Sequence, residues 1–61
     1  MLVPIDCLKP GDKFIDLDLD PRLDVNFTVI GRDFEGQVVA EDEFGYEFHF
    51  KPIKLVRISG K

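Results

Sequence analysis

Residues 26–51 read N-F-T-V-I-G-R-D-F-E-G-Q-V-V-A-E-D-E-F-G-Y-E-F-H-F-K, and this stretch decides the fold. Three segments in it alternate with period two: residues 26–32, 37–42 and 46–51. The connections between them are Asp33-Phe34-Glu35-Gly36 and Glu43-Phe44-Gly45. Each holds an acidic residue, a Phe and a Gly, which is hairpin chemistry. The pattern predicts an antiparallel meander, with 27–31 paired to 37–41 and the latter paired to 46–50. In the first strand Phe27 and Val29 face one way, Thr28 and Ile30 the other. In the third, Phe48 and Phe50 oppose Glu47, His49 and Lys51. The run Val38-Val39-Ala40 predicts a middle strand covered on both sides or sharply bent. Phe27, Val29, Val38, Phe48, Phe50 and Val56 are the expected core.

Upstream, residues 2–8 open as a short extended piece. Pro4 cannot donate to a ladder, so this piece belongs at an edge. Lys9-Pro10-Gly11-Asp12 reads as a type II turn, with Pro at its first central position and Gly at its second. From Ile15 the chain alternates: Ile15, Leu17 and Leu19 on one face, Asp16, Asp18 and Asp20 on the other. Phe14 falls on the acidic face, which predicts a bulge or an early strand end. Residues 18–24 read as a surface loop. Downstream, Pro52-Ile53-Lys54 interrupts, residues 55–58 form a last strand, and residues 59–61 are expected to fray. No apolar stripe at helical spacing persists.

Sixty-one residues allow one domain, 1–61, with a thin core. Hydrophobic residues at 44% are too many for a disordered chain. No apolar run spans a bilayer, and no signal-peptide pattern opens the chain. The initial Met leads to the expectation of a complete small reading frame. The single Cys7 cannot staple a small domain, so a cytoplasmic location is expected. Cys7 itself reads as a small apolar residue at a strand end. The formal charge of −4 disfavours non-specific phosphate binding.

Two stretches resemble the Src-homology-3-like small barrels. Leu8-Lys9-Pro10-Gly11-Asp12-Lys13-Phe14 is similar to the L-x-x-G-D-x-F/V opening of many such barrels, including the KOW and Tudor-like groups. Residues 50–58, F-K-P-I-K-L-V-R-I, resemble the 3₁₀ turn and closing strand of the same fold. The resemblance implies an all-β, five-stranded antiparallel, partly open barrel around the central three-stranded meander. The families' functional residues do not carry over. A proline-peptide groove needs a Trp and paired Tyr, and this chain has no Trp and only Tyr46. The basic Gly-rich loop of KOW modules is replaced by the acidic stretch 16–24. A Tudor cage needs three or four loop aromatics, and only Phe34, Phe44 and Tyr46 are placed for one.

Asp16-Leu17-Asp18-Leu19-Asp20 is the one metal-like pattern, but as a calcium loop it puts Pro21 where Gly is needed and Phe27 where Glu is needed. The expectation is a solvated acidic edge with Asp16, Asp18 and Asp20 exposed, and no metal or cofactor. His49 reads as a surface cross-strand partner; no second group completes an acid–base pair, so no catalytic residue and no enzyme activity is expected. Phe34 and Phe44 either fold back to cap the core, the preferred reading, or stand out as contact tips. Lys51, Lys54 and Arg57 with Lys9 and Lys13 form a candidate basic strip. The leading expectation is a small protein-interaction module with a protein partner, contacted through Phe34, Phe44 and Tyr46. Its size and style suit an accessory protein of a bacterial or phage genome. The alternatives are a nucleic-acid-binding barrel using Lys51, Lys54 and Arg57, and an acidic mimic that blocks a nucleic-acid-binding protein.

Overall fold

A computed structural model describes residues 2–16 and 25–59. They form six strands: β1 (Leu2–Pro4), β2 (Lys13–Ile15), β3 (Asn26–Arg32), β4 (Val38–Glu41), β5 (Glu47–Phe50) and β6 (Leu55–Ile58). A single 3₁₀ turn covers Ile5–Cys7, and there is no α-helix among the described residues. The strands make one antiparallel sheet in the order β1-β6-β2-β3-β4-β5. The count is six where five were expected, because residues 2–4 pair as a full edge strand on β6. Pro4 ends that edge, as its missing donor requires.

The meander pairs as its alternation predicts. Val29 faces Ala40 and Ala40 faces Phe48; Val38 faces Phe50. Val38 and Ala40 are buried while Val39 between them is half-buried, so β4 alternates after all. The irregularity lies in β3, whose register shifts between Val29 and Gly31. That bulge leaves Ile30 exposed.

The core is Ile5, Leu8, Phe14, Phe27, Val29, Val38, Ala40 and Val56. Its centre is aromatic. Phe14 stacks on Phe27 with ring centroids 5.3 Å apart, and Phe50 meets both edge-on at 5.6 Å. Offset stacks and edge contacts suit the ring quadrupole. Two expectations are corrected here. Phe14, left out of the expected core, lies on the buried face, fully enclosed; β2 ends early, at Ile15, and the face expected to be solvated is the inward one. Phe48 is 42% exposed, because β5 is the last strand and nothing among the described residues covers its far side. Phe50 is half-buried.

Asp16 is the third correction. It is buried, not solvated, and its carboxylate meets the Lys54 ammonium at 3.2 Å. It shares the inward face with Phe14, two residues earlier, so the burial follows from strand parity. Asp18, Asp20 and the loop expected at 18–24 lie outside the described residues. Cys7 is exposed in the 3₁₀ turn rather than buried at a strand end. Of the end expected to fray, Ser59 is held, its N–H donating to the Lys13 carbonyl at 3.1 Å, while Gly60 and Lys61 lie outside the described residues.

The turn at residues 9–12 has Gly11 at φ 96°, as a type II turn requires, and Asp12 N–H closes onto the Lys9 carbonyl at 2.9 Å. The turn is docked on β3 by two bonds, Gly11 N–H to the Val29 carbonyl and Val29 N–H to the Asp12 carbonyl.

Phe14→Ala should cost roughly 3–5 kcal/mol, since the site cannot collapse around two packed rings. Set against about 5 kcal/mol in total for so small a domain, the variant should be largely unfolded at 25 °C. Phe48→Ala should cost clearly less. Urea titrations of both variants check the order; equal midpoints would contradict the packing described.

Candidate functional site

Both hairpin turns are built alike. In the first, Gly36 N–H donates to the Asp33 carbonyl at 3.1 Å and Asp33 N–H to the Gln37 carbonyl at 3.0 Å. In the second, Gly45 N–H donates to the Asp42 carbonyl at 3.3 Å and Asp42 N–H to the Tyr46 carbonyl at 3.0 Å. Each Asp side chain then accepts two further amides. Asp33 Oδ1 takes the N–H groups of Glu35 and Gln37 at 2.9 and 2.8 Å; Asp42 Oδ1 takes those of Phe44 and Tyr46 at 2.9 and 3.0 Å. Gly36 at φ 84° and Gly45 at φ 89° complete two type I turns with a glycine bulge.

Each turn is also tied to a strand. Asp33 Oδ2 lies 2.7 Å from His49 Nδ1, linking the first turn to β5. Glu43 Oε2 accepts from the Asn26 backbone N–H at 3.1 Å, linking the second turn to β3. The hydrogen bond from His49 holds the Asp33 carboxyl below its ordinary value of 3.8; burial pushes the other way, and the Gln37 and Glu35 amides lower it further.

These frames hold aromatic rings in solvent. Phe34 is 99% exposed, Phe44 79% and Tyr46 68%. The preferred expectation that Phe34 and Phe44 cap the core is therefore corrected. Capping is unnecessary because Phe14, Phe27 and Phe50 already fill the interior. The structure separates the two tips: the 33–36 turn leads into β4 and the 42–45 turn leads out of it, so they stand at opposite ends of that strand. Phe44 and Tyr46 share one end, with Phe48 the next inward-facing residue of β5.

The basic strip is interrupted. Lys54 is half-buried against Asp16, while Lys51 and Arg57 are exposed. Lys13, on β2, donates to Thr28 Oγ1 at 3.1 Å. A groove of about 370 Å³ is lined by Asp16, His49, Phe50, Lys51, Ile53 and Lys54. Arg32 reaches back to Asp6, bonding its side chain and its carbonyl. Among the described residues, no three His, Cys, Asp or Glu side chains gather as a metal site, and no helix is long and apolar enough to cross a membrane.

The exposure of the tips was not readable from composition, but the repeated Asp was the available signal. A turn whose Asp binds two amides is rigid without help from its Phe. No family model, curated protein or solved structure matches the chain.

Stability should fall with pH at Asp33. A carboxyl depressed in the folded state stabilises fully above its unfolded value and loses that contribution as pH drops through the folded one. The loss should therefore begin near 3.8 and grow below it. Asp33→Asn keeps an oxygen for the turn amides but removes the titration, so its unfolding midpoint should change less over that range. Parallel pH profiles for the two proteins would contradict the His49 link.

Proposed function

We propose that the chain is a small non-enzymatic protein-interaction module that grips a partner protein through its turn aromatics. The observation that carries this reading is Phe34, a ring 99% exposed on a turn closed by four hydrogen bonds. A large apolar ring costs free energy in water, and an already ordered turn loses little entropy when it binds. Aromatic anchors of this kind carry much of the affinity in protein contacts. Phe44 and Tyr46 offer a second anchor at the other end of β4, so the partner spans the hairpins or meets each end separately.

The finer fold reading is a partly open Src-homology-3-like barrel. It is supported by the order β6-β2-β3-β4-β5, by the tight turn in which Lys54 N–H donates to the Lys51 carbonyl, and by the return of β6 to β2. The lone cysteine supports a cytoplasmic setting, and the small size supports an accessory role in a bacterial or phage genome. The net charge of −4 and the pairing of Lys54 with Asp16 both weigh against nucleic acid as the partner.

The test is affinity capture from the source cell with the intact chain, alongside F34S, F44S and the double variant. The double variant should keep its melting temperature within a few degrees, because neither ring touches the core, and should lose the captured protein. The single variants divide the contact between the two ends. Full capture by the double variant would overturn the reading. So would tight, salt-sensitive binding of the pure chain to DNA or RNA that vanishes on neutralising Lys51, Lys54 and Arg57.

A further inference from the structure

The sheet has two ends, and they differ. β1 is three residues long and closes with Pro4, which cannot donate to a neighbour. β5 holds no proline and no bulge, and its backbone faces outward at alternate residues. The parity follows from the 42–45 turn. Asp42 N–H donates to the Tyr46 carbonyl, so that pair bonds inward, as do the Ala40–Phe48 and Val38–Phe50 pairs. Glu47 and His49 then present their N–H and C=O groups to the open side, and Lys51 its N–H. The Lys51 carbonyl already accepts the Lys54 amide at 3.0 Å.

The side chains on this edge read Glu47-Phe48-His49-Phe50-Lys51, which is complementary to itself when reversed. Antiparallel pairing about a twofold axis at His49 sets Glu47 opposite Lys51 of the second copy and Phe48 opposite its Phe50. His49 meets His49. In parallel register, like charges would face each other instead. The axis also falls on a residue whose backbone groups point outward, the parity that a hydrogen-bonded central pair needs. The two His49 groups would exchange both bonds, and each Lys51 N–H would reach a Glu47 carbonyl. On the inner face, Phe48, 42% exposed, would gain cover from the partner's Phe50. On the outer face each imidazole is engaged by its own Asp33 at 2.7 Å.

We infer that β5 is a self-association edge, through which two copies of this chain join by antiparallel pairing centred on His49 into one continuous sheet. The pairing uses residues and a readout separate from those of the turn aromatics, so either reading can fail alone. Strand addition of this kind draws affinity from main-chain bonds and specificity from the flanking side chains.

The experiment is sedimentation equilibrium at concentrations up to about 1 mM, the weak end of specific association. The 7.0 kDa chain should move toward twice that mass as concentration rises. Glu47→Lys and Lys51→Glu should each weaken dimerisation at least tenfold, by setting like charges opposite each other. The double variant E47K/K51E restores complementarity and should recover the dimer. Thermal melts confirm that the three variants fold; both positions are exposed. In parallel, amide exchange of His49 and Lys51 should slow as concentration rises, while Phe48 and Phe50, bonded to β4, should be slow throughout. A monomer at every concentration overturns the inference. So does a dimer indifferent to single reversal, or a double variant that stays monomeric.

Discussion

The stack of Phe14 on Phe27 is the contact on which this small sheet depends. A chain of 61 residues buries little, and eight apolar side chains make up the core among the described residues. Phe14 joins β2 to β3 face to face, with rings 14° from parallel, and Phe50 closes the cluster from β5. Three strands that are not all neighbours thus share one packing unit. The 3₁₀ turn adds buried Ile5 to the same core, which also holds Leu8 and Val56. Backbone bonds fix that arrangement: Ile5 N–H donates to the Lys54 carbonyl at 2.7 Å and Asp6 N–H to the Pro52 carbonyl at 3.2 Å.

Because the interior is filled without them, the two hairpin turns are free of structural duty toward the core. Their shape is set locally, by an Asp at the first position and a Gly at the last, and their orientation by His49 and Asn26. This division of labour puts apolar rings in water without loosening the fold. Glu41 stands opposite Glu47, a cross-strand pairing that weakens the β4–β5 contact rather than strengthening it. Such a pairing is tolerable on an outer face, and it leaves Glu47 without a cationic partner across β4.

The meander was legible because period two, Gly-ended turns and β-branched residues all point the same way between Asn26 and Phe50. The β1 edge was legible from Pro4, and the type II turn from Pro10-Gly11. Parity failed at β2. The clean alternation from Ile15 onward suggested the wrong inner face, since alternation tells two faces apart but does not say which is buried. The Lys54 ammonium helps make a buried Asp16 acceptable, and that pairing is tertiary, invisible to local pattern. Phe48 departs from its expected burial for a related reason: its strand reads as half-buried, but strand order places it at the end of the sheet. The tips could not be read at all from hydrophobicity, which predicts burial for every Phe.

The rings of this chain divide into an enclosed set and an exposed set. The most direct measurement is the bleaching of Phe ring-proton NMR signals by a soluble paramagnetic probe. Phe14 and Phe27 should keep their signals and show mutual ring cross-relaxation, while Phe34 and Phe44 should be bleached strongly and Phe48 to an intermediate degree. Protection of Phe34 or Phe44 together with bleaching of Phe14 would contradict this division of the rings.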